Sequence, residues 1–134
     1  MANEITVDLA QVGASTAEVT IRKHTLLVDR PEPKGGADRG PMGGELFLAA
    51  VGGCFLSNLL AAMKAREAAV SGASVHVVGT LADAPPRFSA VELTVTAQYQ
   101  DRQLFEKLVE IADRGCIMTN TLRGKLDFTI RIAV

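Results

Sequence analysis

The sequence predicts an α+β domain, and three observations predict it. Short segments that alternate apolar and polar residues stand at both ends, a long apolar stretch without proline follows the first group, and a shorter amphipathic stretch precedes the last. The 134 residues suffice for one ordinary core, so residues 1–134 are taken as a single domain. Charged residues make up 22% and hydrophobic ones 48%, a globular composition rather than a disordered one. The net charge of −1 and the scattered Lys and Arg, the first at Arg22, offer no footprint for a phosphate backbone, so nucleic acid is not expected as a partner. The opening MANEITVDLA carries acidic residues where a signal peptide would carry a basic one, and a cytoplasmic protein is expected.

Ile5, Val7 and Leu9 alternate with Glu4, Thr6 and Asp8, and after Gly13 to Thr16 the run Val19 to Arg22 alternates again, as in a hairpin. Thr25 to Val28 either continues the second strand or forms a third. Residues 30–44 contain three prolines and five glycines, too many breakers for a helix or a central strand. From Glu45 to about Val70 the Leu-, Ala- and Met-rich chain predicts a long helix closing near Gly72. Strand periodicity returns around Val75, Val77 and Leu81 and again from Val91 to Tyr99, with Ala84-Pro85-Pro86-Arg87 as the turn between. Asp101 caps a helix carrying Leu104, Leu108 and Ile111, which should end at a left-handed Gly115. Leu126 to Ile132 closes the chain as a strand with one apolar face.

Leu46 to Met63 runs for 18 residues without a charge, near the lower limit for a membrane span. Gly52, Gly53, Ser57 and Asn58 lower its hydrophobicity and the segment stands alone, so no membrane association is expected. A helix apolar all round must be covered all round. One sheet covers only one side, and the simplest cover for the other is a second subunit; a homodimer is therefore expected. Gly52-Gly53 costs a helix interior about 1 kcal/mol per residue relative to alanine. Either close packing of a neighbouring element or space beside Cys54 would offset that cost.

Two cysteines in a reducing compartment are free thiols, metal ligands or a transient pair. Taken alone, Cys54 is most simply a small buried hydrophobe whose desolvation raises its pKa. Cys116 follows Gly115 and opens the segment Cys116 to Leu122, where backbone N–H groups would favour a thiolate. The residues around them say more. GELFLAAVGGCF (Gly44 to Phe55), preceded by GGADRGP (Gly35 to Pro41), closely resembles the OsmC/Ohr family pattern of a Gly-rich loop leading into a helix that carries a cysteine. Sixty-two residues on, CIMTN (Cys116 to Asn120) resembles the family's second motif, in which a cysteine is usually followed by proline.

This resemblance covers nearly the whole chain. It implies an OsmC-like fold with antiparallel sheets wrapped around a long central helix in an intertwined homodimer. It also implies a thiol-dependent peroxidase in which Cys54 is oxidised to a sulfenic acid, Cys116 closes a Cys54–Cys116 disulfide, and an external dithiol reductant restores both. No metal or organic cofactor is implied. An apolar pocket of Phe47, Val51, Phe55 and Leu56 would suit an organic hydroperoxide. The non-enzymatic alternative is a redox-sensing or small-ligand-binding dimer with the same fold, or two cysteines that serve only the core.

The sequence departs from the pattern at the expected activating groups. Family members support the thiolate with an Arg from the N-terminal hairpin and a Glu just before the central helix. Here Ala10 to Val19 contains no Arg or Lys, and Glu45 falls one residue past the matching Gly44, a rotation of about 100° on a helix. Arg39, with Arg22 and Arg30 as further choices, is the candidate cation, and Glu45 the candidate carboxylate to orient it. Ile117 stands where proline is usual. A zinc site built from Cys54, Cys116, His24 and His76 lacks the paired short spacings of such sites, and GGADRGPMGG lacks the Gly-Lys-Ser/Thr of a phosphate loop.

Overall fold

The computed structural model describes residues 3–134 and divides at the Phe47–Leu48 bond into two compact units. The N-terminal unit holds a three-stranded antiparallel meander of β1 (Asp8–Gln11), β2 (Ala17–Ile21) and β3 (His24–Val28), with Leu9 opposite Val19 and Val19 opposite Leu26. Thr25 to Val28 is thus a third strand. The predicted first strand is shorter than its alternation suggests, leaving Ile5 and Val7 exposed outside it.

Beyond β3 the breaker-rich segment forms one 3-10 turn, Glu32–Lys34, and is otherwise irregular. It is held by the buried Asp29, whose carboxylate accepts from Thr16 Oγ1 at 2.9 Å and from the backbone N–H of Arg30 at 2.7 Å and Arg39 at 3.2 Å. Burial pushes this carboxyl up, but the Ser15 hydroxyl, the Arg30 amide, the Thr16 hydroxyl and the Arg39 amide outweigh it and hold Asp29 well below the usual carboxylate range.

Helix α1 (Gly43–Ala65) begins in the N-terminal unit and continues into the C-terminal one. It starts two residues earlier than predicted because Glu45 reaches back to the Met42 N–H at 2.8 Å, satisfying a donor that the first turn would leave orphaned. It also ends earlier. Glu67 takes φ 46°, and the Ala68 N–H bonds Met63 O at 3.0 Å, closing a Schellman-type turn around a left-handed residue that is not glycine. Gly72, where the helix was expected to close, lies at φ 63° in an irregular stretch of the next strand.

In the C-terminal unit, β4 (Ser71–Asp83) and β5 (Pro86–Gln98) form a long antiparallel hairpin. Helices α2 (Arg102–Arg114) and α3 (Ile117–Leu122) then carry the chain across, and β6 (Asp127–Ile132) pairs with β5 in parallel. The sheet is therefore mixed rather than wholly antiparallel, because a helical crossover returns the chain to the same end of the sheet. Val91, Leu93 and Val95 of β5, Phe55 and Leu59 of α1, and Phe105 and Leu108 of α2 are almost completely buried. Gly52 lets α1 approach this sheet: a Cβ there would come within 2.7 Å of Val77 Cγ2. By length and composition α1 also meets the criterion for a membrane span, which is weak evidence for one, and its stripe of Val51, Gly52, Phe55, Leu59 and Ala62 is buried.

Candidate functional site

Cys54 and Cys116 come together within the C-terminal unit. The Cys116 thiol donates to Cys54 Sγ at 3.2 Å, so about 1 Å of further approach would form a disulfide. Cys54 is half-buried on α1, whereas Cys116 is fully buried. Cys116 occupies the N-cap of α3 in an extended conformation (φ −88°, ψ 119°), between the end of α2 and the first α3 turn. Thr119 fixes that junction: buried, it donates to the Asp113 carbonyl at 3.0 Å.

The first two amides of α3, those of Ile117 and Met118, serve Cys54, while that of Thr119 serves Cys116, so the expectation from sequence holds only in part. Burial pushes the Cys54 thiol up, but hydrogen bonds from the Met118 N–H, the Cys116 thiol and the Ile117 N–H outweigh it and hold Cys54 below the usual thiol range. Burial dominates at Cys116 and pushes its pKa up, with the Cys54 sulfur adding to the rise. The two thiols are therefore unlike: a half-buried one held below the usual thiol range beside a fully buried one pushed above it. Asn58, one helical turn beyond Cys54, donates through Nδ2 to the Cys54 carbonyl at 2.8 Å and lies 3.9 Å from its sulfur. In the sequence Asn58 stands out only as a polar residue weighing against membrane insertion; its spacing of four from Cys54 is the signal that it shares that face.

Gly115 is not left-handed (φ −91°, ψ 0°). What glycine offers there is space: a Cβ would meet Asn58 Oδ1 at 3.3 Å, a tight contact that the carboxamide would have to relieve by a few tenths of an ångström. Of the two compensations considered for Gly52-Gly53, close packing applies to Gly52, whereas a Cβ at Gly53 would meet only open space.

Arg39 and Glu45 both belong to the N-terminal unit. There the Arg39 guanidinium lies beside Gly13, and Glu45 caps α1. Val51 and Phe55 are fully buried in the core and do not wall an open pocket. Leu56, two residues and about 200° of helix beyond Cys54, faces away from it. Phe47 ends the N-terminal unit, half-buried. A cavity of about 530 Å³ opens instead at the β5–α2 junction, lined by Val70, Tyr99 and Leu104 among others and by neither cysteine. Among the described residues no group of three or more His, Cys, Asp or Glu could hold a metal ion.

Fold and site together define an α+β protein with a preformed pair of unlike thiols. The chain belongs to the OsmC-like protein family, which matches residues 35–131. Its fold is similar to that of an OsmC-like protein from Mycoplasma pneumoniae (TM-score 0.85, 14% identity, 99% of this chain and 98% of that one covered). It is also similar to an organic hydroperoxide resistance protein from Legionella pneumophila (TM-score 0.75, 21% identity, 100% and 99% covered). The organic hydroperoxide resistance protein OhrB of Bacillus subtilis is a third such structure (TM-score 0.68, 21% identity, 98% of each chain covered). No curated protein matches the sequence.

Proposed function

We propose that the protein is a thiol-dependent peroxidase that reduces organic hydroperoxides. One observation carries this reading: an accessible, acidified Cys54 lies 3.2 Å from a buried, protonated Cys116. The Cys54 thiolate attacks the distal peroxide oxygen, the O–O bond breaks, and the leaving alkoxide takes a proton to depart as alcohol, leaving a sulfenic acid. The Cys116 thiol attacks that sulfur; its proton and the sulfenic hydroxyl leave as water, and a disulfide remains. An external dithiol then exchanges with the disulfide, restoring both thiols and becoming oxidised itself. The peroxide thus gains the two electrons that the dithiol loses.

The names of the Legionella and Bacillus neighbours support a hydroperoxide as substrate, and the acyl or alkyl portion would rest on apolar surface near α1. A homodimer and a cytoplasmic setting belong to the same proposal. Exposed Leu60 on an otherwise apolar α1 supports the dimer, which light scattering of the purified protein checks.

The function is tested by following cumene hydroperoxide consumption with and without dihydrolipoamide, with Cys54→Ser as control. Sustained consumption that needs both Cys54 and the dithiol is expected. A single stoichiometric oxidation without turnover would instead establish a redox sensor, and inert thiols would leave both cysteines as core residues.

A further inference from the structure

We propose that Asn58 is a positioning residue for the thiol pair, its carboxamide set between the helix that carries Cys54 and the turn that carries Cys116. Two contacts on different segments point to this. On its own helix, Nδ2 donates to the Cys54 carbonyl at 2.8 Å and stands 3.9 Å from Cys54 Sγ. Across from it, Oδ1 lies so near Gly115 that a Cβ there would approach to 3.3 Å. The Nδ2 bond to the Cys54 carbonyl identifies the nitrogen end of the carboxamide and leaves Oδ1 facing Gly115.

Asparagine is an unfavourable choice in a helix interior, where it competes for backbone hydrogen bonds, and it stands in a stretch otherwise dominated by Leu, Ala and Met. Its gain lies in the site. The carboxamide braces the Gly115–Cys116 turn against α1 and offers an N–H toward the Cys54 sulfur without carrying a charge. It has no proton to give near neutral pH, so it orients the sulfurs and transfers nothing. Asn58 thereby helps to set the distance over which the disulfide closes, whatever oxidant starts the reaction.

The inference rests on the two thiols acting as a redox pair, and the test separates it from the peroxidase reading by using diamide in place of a hydroperoxide. Diamide accepts the two electrons and two protons that the thiols lose and becomes the hydrazine. Wild type, Asn58→Asp and Asn58→Ala are compared for Cys54–Cys116 disulfide formation and, separately, for the pH profile of Cys54 alkylation mapped by mass spectrometry. Asn58→Asp keeps the shape but puts a carboxylate beside the sulfur, so alkylation at pH 7 should slow roughly tenfold, with the profile displaced to higher pH and recovery on its alkaline side. Asn58→Ala, a better helix former, should keep the fold while disulfide closure slows several-fold relative to alkylation. Both variants matching wild type in both measurements, with circular dichroism showing an intact fold, would overturn the proposal, even if hydroperoxide turnover were absent in all three proteins.

Discussion

The Ile117 N–H is a backbone donor aimed at Cys54. The substitution Ile117→Pro removes the donor and little else. Position 117 is the first residue of α3, where proline is favoured because its missing N–H has no helical partner. Cys116, the residue before it, already has the extended backbone that a following proline demands. The Ile117 side chain is 65% exposed, so little packing is lost. A hydrogen bond to a charged group contributes about 1.5–3 kcal/mol. The sulfur is partly exposed and keeps the Met118 amide, so the low end applies: about 1.5 kcal/mol, or roughly a tenfold loss of thiolate at pH 7. Iodoacetamide alkylation of Cys54 across pH 5 to 10 reads this directly. Ile117→Pro should react about ten times more slowly at neutral pH yet reach the wild-type plateau at high pH, while Ile117→Ala should follow wild type throughout. Superimposable profiles for Ile117→Pro and wild type would refute the assignment of that N–H to the sulfur, and equal slowing in Ile117→Ala would trace the effect to the side chain.

Other consequences of the structure are open to direct measurement. Gly52→Ala, whose Cβ would lie 2.7 Å from Val77 Cγ2, should lower stability by about 1–3 kcal/mol in a denaturant titration, whereas Gly53→Ala, with open space, should be neutral or stabilising by up to about 1 kcal/mol. Asp29 has a depressed pKa in the folded protein, so its stabilisation is complete above the ordinary Asp value of about 3.9 and is lost as pH falls below it. Asn in place of Asp29 should therefore weaken the N-terminal unit at neutral pH and flatten its acid dependence, as followed by hydrogen exchange at residues 28–41. Removing the α2 cap with Asp101→Ala, which deletes the bond to the Leu104 N–H, should cost about 0.5–2 kcal/mol in thermal unfolding without changing Cys54 alkylation.

Local chemistry determined much of this protein before any tertiary contact was known. Alternation at Val91 to Tyr99 and at Leu126 to Ile132 marked strands because a half-buried strand repeats every two residues, and Asp101 marked the start of α2 because a carboxylate satisfies an orphaned amide. Both cysteines and their resemblance to the OsmC/Ohr pattern were likewise legible, since motifs are properties of the chain itself. What the sequence could not show depends on groups far apart along it. The sequence places the end of α1 too late because Glu67, rather than a glycine, takes the left-handed conformation, and Gly115, read as a left-handed cap, has right-handed dihedrals and lies close to Asn58. The parallel pairing of β6 follows from the path of α2 and α3, which no strand pattern records. Above all, sequence assigned the α3 amides to Cys116, their neighbour in the chain, whereas folding leaves it that of Thr119 and aims those of Ile117 and Met118 at Cys54, 62 residues away. Thiol acidity is set by burial and by donors within a few ångströms, and only the tertiary structure decides which donors those are.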